Sequence, residues 1–204
     1  MNRTLSTIAI VACAALLMHA ASLRAEEPAA AEPATAIDAV EPAAAKMPAV
    51  GDKARDFTLH DLAGRPVKLS ALLETSPVVL VVLRGFPGYQ CPICSFQVAG
   101  LMKHAQEIAA AGARVVFVYP GPADALAERA HEFIKNKTLP DHFSLVTDPD
   151  YSFTKSYGLR WDAPRETAYP STFVIDRAGV IRIAKISKSH GDRAKVEDVL
   201  AALE

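Results

Sequence analysis

One short stretch limits this chain more than any other. Pro77-Val78-Val79-Leu80-Val81-Val82-Leu83 is an unbroken apolar run, and it leads through Arg84 and Gly85 to Cys91-Pro92-Ile93-Cys94. An apolar run without polar alternation fits a strand covered on both faces, at the centre of a sheet. Residues 95–111 then have helical spacing, with Gln97, Leu101, Ala105 and Ile108 on one face and Gly112 as the stop. The chain thus passes from a buried strand, through a CxxC, into a helix. Unpaired N–H groups and partial positive charge at a helix start favour S⁻ over SH. A second sulfur three positions on can close a disulfide with the first. The pattern predicts thiol redox chemistry, provided that the two sulfurs lie close together, ionise easily and are accessible to a reactant.

The N-terminus bears on the compartment. Residues 1–25 have the layout of a secretory signal: Arg3, then an uncharged run from Leu5 to Met18, then Leu23-Arg24-Ala25 before Glu26 as a cleavage site. That run is 14 residues long, against the ~20 that span a bilayer. The expectation is export to the periplasm, with membrane attachment only through an uncleaved signal anchor. Cys13 belongs to this signal, which leaves Cys91 and Cys94 as an even pair. A bond across so short a loop constrains the unfolded chain weakly, so a purely structural role contributes little.

Residues 26–48 are a different material, with nine Ala, four Pro and five acidic residues against the single Lys46. They lack the bulky apolar groups of a core and read as a flexible linker. Residues 49–204 suit one domain. With 19 Lys and Arg against 18 Asp and Glu, and no basic stripe, this domain is not expected to bind nucleic acid.

Along the domain, residues 56–59 and 67–69 read as strands about a turn at Gly64, and 114–119 as a second buried strand. Residues 123–135 read as a helix, 143–146 as a strand and 151–157 as a short helix. Residues 172–175 and 180–186 form a hairpin through Asp176-Arg177-Ala178-Gly179, and 192–203 a last helix capped by Asp192. This order predicts an α/β fold, a central mixed β-sheet with helices on both faces.

Several segments, in this order, resemble the AhpC/TSA peroxiredoxin-like (redoxin) family: residues 51–59, Leu83-Arg84-Gly85, Cys91-Pro92-Ile93-Cys94 with Gln97, and Ser171-Thr172-Phe173-Val174-Ile175-Asp176. The resemblance spans roughly 49–204. It implies the thioredoxin-like fold and a hydroperoxide or protein disulfide as substrate, with a thioredoxin-like thiol as electron donor. Pro87 through Cys94 has the spacing of the peroxiredoxin Pro-x-x-x-Thr-x-x-Cys signature, with Cys91 in the Thr place. By that alignment Cys94 attacks peroxide and Cys91 resolves the sulfenic acid.

The position of the family's catalytic Arg is Pro170 here, so Arg84 and Arg165 are considered as substitutes. Pro170 instead resembles the cis-proline that thioredoxin-like oxidoreductases place opposite their CxxC, with Tyr169 presenting backbone to a substrate. In that alignment the roles reverse: Cys91 is the exposed nucleophile and Cys94 resolves. Pro87, Tyr169, Pro170 and Arg84 are therefore the expected substrate-binding residues beside the catalytic pair. Phe86 and Tyr89 either wall the pocket or cap the core, and the loop around Trp161 borders the site.

A third reading, an envelope copper chaperone, would use both cysteines with His142 or His190. Zinc would need a second CxxC or a nearby His pair. No phosphate loop or Ser-His-Asp order calls for another reaction, so no cofactor is expected.

Overall fold

The computed structural model describes residues 45–204; the signal peptide of 1–25 and nearly all of the 26–48 linker lie outside them. Among the described residues, no helix is long and apolar enough to cross a membrane.

The apolar run forms β3 (Val78–Val82), and every one of its residues is buried. It lies inside a seven-stranded sheet with β1 (Thr58–Asp61), β2 (Pro66–Lys68), β4 (Arg114–Gly121), β5 (Phe143–Pro149), β6 (Ser171–Ile175) and β7 (Ile181–Ile186). The strand order is β2-β1-β5-β4-β3-β6-β7. The inner strands β3, β4 and β5 are parallel, and the other neighbours pair antiparallel. This is the expected mixed sheet.

Period-two alternation along β3 builds two cores. Val79 and Val81, with Leu83 beyond the strand end, join Val98, Leu101, Phe117, Phe133 and Val199 in one cluster. Val78, Leu80 and Val82 join Leu69, Phe153, Tyr157 and Phe173 in the other. The first core is covered by α2 (Pro92–Lys103), α3 (Ala105–Ala110), α4 (Leu126–Ile134) and α6 (Val196–Ala201). The second is covered by α1 (Leu69–Leu73) and α5 (Ser152–Ser156). Helices therefore lie on both faces, as the thioredoxin-like fold requires.

Four local expectations are corrected. Leu69 opens α1 rather than ending β2, because its side chain is needed in the second core. The helix expected over 95–111 begins at Pro92 and breaks at His104 (φ −103, ψ 20), which divides α2 from α3. The last helix starts at Val196, with Lys195 and not Asp192 at its N-cap; Asp192 pairs with Lys185 at 2.7 Å. β1 begins at Thr58, where its pairing with β2 begins.

β3 ends against β6, with Val82 opposite Ser171. Its exit turns at Gly85 (φ +70), where a Cβ would stand 1.8 Å from the Pro120 carbonyl oxygen. Only glycine fits this close approach. The chain is thereby aimed from the strand end into the CxxC.

Candidate active site

Cys91 is the N-cap residue of α2, in extended backbone, and Pro92 takes the first helical position, where its missing N–H costs nothing. Cys94 lies in the first turn and donates its backbone N–H to Cys91 Sγ at 3.3 Å. The sulfur thus fills the place that a Ser or Asp oxygen usually takes at a helix start. The first turn carries no acidic side chain to oppose a thiolate. Cys94 Sγ in turn accepts the backbone N–H of Arg84 at 3.4 Å. Both cysteines are free.

These contacts make the two sulfurs unequal. Donation from the Cys94 thiol lowers the Cys91 pKa to about 6; burial opposes this, and the Cys94 backbone N–H, Arg193 and Arg84 add to it. The same shared hydrogen bond, then burial, drives Cys94 strongly upward. The arrangement favours ionisation of the sulfur at the helix cap over that of its partner one turn inside.

The expected accessibility is not found. Cys91 is 3 % exposed and Cys94 1 %, and both belong to the first core, which Phe86 and Ile93 border. The loop between Gly85 and Cys91 is pinned at two points. The Tyr89 hydroxyl meets an Arg84 guanidinium nitrogen, and Gln90 accepts from Tyr119 at 2.8 Å while donating to the Arg129 carbonyl at 2.9 Å. Phe86 thus packs against the core, and with Pro87 it also lines a neighbouring cavity of about 540 Å³ bounded by Arg165 and Glu166.

The Arg84 guanidinium makes its hydrogen bonds away from the sulfurs. It pairs with Glu166 at 2.8 and 3.1 Å and donates to the Arg165 carbonyl at 2.9 Å, while the Thr167 hydroxyl holds the Arg84 carbonyl. Glu166 also meets His190 Nε2 at 2.9 Å. Burial pushes the Glu166 carboxyl up, and hydrogen bonds from Arg84 and His190 more than offset this, so its net shift is downward. Arg165 takes a left-handed backbone (φ 60) and lines the cavity beside Pro87. In the Trp161 loop, Trp161 stacks on Tyr169 at 4.9 Å and lies 5.4 Å from the ring of His190, the histidine that meets Glu166.

Pro170 precedes β6 at the same sheet end, and its carbonyl accepts from Ser187 N–H at 2.9 Å. The cis expectation fails: the described residues contain no cis peptide bond. The Pro170 carbonyl is taken up by the segment after β7, so this part of the backbone is satisfied within the chain. The donors of the copper reading are also dispersed. His142 Nε2 meets the Ala105 carbonyl and His190 meets Glu166, and no group of three His, Cys, Asp or Glu is placed for a metal among the described residues.

Sequence reasoning missed Glu166, which ties Arg84 to His190, and Arg193, which acts on both thiols. No motif marks either.

Fold and site together define a thioredoxin-like α/β protein with a dithiol at the start of its first long helix. The chain belongs to the AhpC/TSA family, whose model matches residues 50–184. It is 31 % identical over 127 residues to peroxiredoxin Q, chloroplastic, of Sedum lineare, covering 62 % of this chain and 63 % of that one. The japonica rice peroxiredoxin Q, chloroplastic, is 30 % identical over 132 residues, covering 65 % and 56 %. The chain thus spans less than two thirds of these relatives' length. Among solved structures it resembles Peroxidoxin BcpB from Mycobacterium tuberculosis, with a TM-score of 0.59, 26 % identity, and 76 % and 95 % coverage. A chain from Chlorobium tepidum, assigned as a thiol:disulfide interchange protein DsbE, superposes with a TM-score of 0.57, 27 % identity, and 76 % and 99 % coverage.

Proposed function

We propose that this protein is an exported, peroxiredoxin-like thiol oxidoreductase that reduces hydroperoxides through a Cys91–Cys94 dithiol/disulfide cycle, with Cys91 as the attacking sulfur. The carrying observation is the hydrogen bonding at the pair: the Cys94 backbone N–H donates to Cys91 Sγ, and its thiol stabilises the Cys91 anion. This supports the role order of the thioredoxin-like alignment over that of the Pro-x-x-x-Thr-x-x-Cys spacing.

The Cys91 thiolate attacks one peroxide oxygen, the O–O bond breaks, and the alkoxide takes a proton and leaves as alcohol (water, for hydrogen peroxide). Cys91 is now a sulfenic acid. The Cys94 sulfur attacks it, the S–S bond forms and water departs with the Cys94 proton. An external dithiol of the thioredoxin type, or two monothiols, then reduces the disulfide by exchange and is itself oxidised.

Because both sulfurs are buried, any reactant reaches them only when the surrounding chain opens, and a small hydroperoxide needs less opening than a protein disulfide. The N-terminal signal layout supports a periplasmic setting. Stopped-flow mixing of reduced protein with hydrogen peroxide tests the reading. Sulfenate formation should persist in Cys94→Ser and vanish in Cys91→Ser. Its absence from the wild type, combined with a trapped mixed disulfide on Cys91, would assign disulfide exchange instead.

A further inference from the structure

Three of the four non-glycine residues with left-handed backbone among the described residues line one cavity. Ala125 (φ 56), Tyr151 (φ 63) and Arg165 (φ 60) border the same space of about 540 Å³, and the fourth, Asp150 (φ 53), immediately precedes Tyr151. This backbone is unfavourable for any residue with a Cβ. It persists where the surrounding fold imposes it, and such positions gather at ligand clamps. The cavity lies at one end of the sheet. Pro87 and Gly88 follow β3, Ala125 follows β4 and Tyr151 follows β5, and these three strands are parallel. Ligands of open α/β sheets bind outside the carboxyl ends of the strands. The volume also lies within the ~300–1,000 Å³ typical of small-molecule sites.

The lining is cationic: Arg129, Arg160 and Arg165 all contribute to it. Arg129 lies over the Phe86 ring at 5.1 Å and Arg160 over the Tyr151 ring at 4.1 Å, so both aromatic walls carry a guanidinium. Arg160 is fixed there by the Glu166 and Thr167 carbonyls, at 3.1 and 2.6 Å. The carboxylates that pair with these two, Glu132 and Asp162, lie outside the lining and are exposed, where water and salt screen them. Arg165 has no carboxylate partner among the described residues. Of the two acidic residues in the lining, Glu166 is taken up by Arg84 and His190. Asp124 is the other, and it alone is unpaired.

We propose that this cavity is a binding site for a small organic anion, whose carboxylate or phosphate group is held by the Arg165 guanidinium and whose remainder lies against Phe86 and Tyr151. A guanidinium presents paired N–H donors that match either group, and the strained turn at Arg165 is what sets that residue on the cavity wall. The site goes beyond the thiol chemistry: its lining contains neither cysteine, and anion binding does not depend on which sulfur attacks. It shares a wall with the segment that leads to the dithiol. The Arg129 carbonyl accepts from Gln90, the Arg165 carbonyl accepts from Arg84, and Phe86 borders both the cavity and the first core. An occupant therefore rests on the residues that hold 84–90 in place.

The test is titration calorimetry of the reduced protein at low salt with citrate and with pyrophosphate, which separate a carboxylate ligand from a phosphate one. At least one of them should bind, one anion per chain, and more weakly as sodium chloride rises. Arg165→Gly keeps the carbonyl that holds Arg84 and accepts this backbone freely. It should lower the affinity about tenfold or more while the melting temperature stays at or above that of the wild type. Asp124→Asn should raise the affinity several-fold by taking the unpaired carboxylate off the wall, and it decides the question if Arg165→Gly does not fold. No binding of either anion to the wild type overturns the proposal. So does an unchanged affinity in folded Arg165→Gly or, failing that, in Asp124→Asn. A wild type that binds an anion as described yet ignores peroxide would count against the peroxidase reading while leaving this site in place.

Discussion

Arg84 and Glu166, 82 residues apart in sequence, form a bidentate pair at 2.8 and 3.1 Å, with side chains only 3 % and 11 % exposed. Because the Arg84 backbone N–H also reaches Cys94 Sγ, the pair fixes the strand exit that carries the site. Removing one partner of a buried ion pair leaves the other charge stranded. Glu166→Ala should therefore lose on the order of 3 kcal/mol in urea unfolding, and Arg84→Met combined with Glu166→Leu should recover much of that. Additive losses in the double variant would mean that the two side chains do not act as a pair.

The same carboxylate sets an acid limit. Its folded-state pKa lies below the ordinary 4.5, so its contribution is full above that value and disappears as pH falls through the lower folded one. Comparing the melting temperatures of wild type and Glu166→Gln should show the gap between them closing as pH falls below the ordinary 4.5. A gap of constant size down to strongly acid solution would remove Glu166 from the acid transition.

Gly85 is a packing requirement as much as a turn. A Cβ there would stand 1.8 Å from the Pro120 oxygen, at φ +70. Gly85→Ala should cost on the order of 3 kcal/mol or more, among the larger effects of single substitutions, and should slow formation of the Cys91–Cys94 disulfide by displacing the strand exit. Near-wild-type unfolding would show that the backbone at Pro120 yields freely.

Tyr89 is 48 % exposed, yet its hydroxyl is tied to Arg84 and its ring faces the same guanidinium at 5.1 Å. It ties down the loop that precedes the pair. Tyr89→Ala should speed alkylation of Cys91 by iodoacetamide several-fold without moving the pH midpoint of the reaction. Equal rates would place the barrier to access elsewhere, at Gln90 and Tyr119.

The strongest sequence signals were those that report directly on burial. The unbroken run from Val78 to Val82 became the central strand, and the CxxC sits at the helix start that its flanking residues implied. The break at His104 and the short α1 follow from tertiary packing, which local spacing does not encode. The Arg84–Glu166–His190 cluster joins three distant segments, so no window of sequence contains it. The burial of Cys91 was equally hidden, because it comes from joining the first core with residues far along the chain. The peptide before Pro170, expected as cis and found trans, is a matter of backbone geometry that the residue pattern does not encode.

Thiolate absorbance of the reduced protein, followed from pH 4 to pH 10 in wild type, Cys91→Ser and Cys94→Ser, tests the central claim most directly. The unequal pair predicts a wild-type midpoint of about 6 that disappears in Cys91→Ser and survives, shifted upward, in Cys94→Ser. A midpoint that disappears only in Cys94→Ser, or a wild type that ionises no earlier than the ~8.5 of an ordinary thiol, would contradict it.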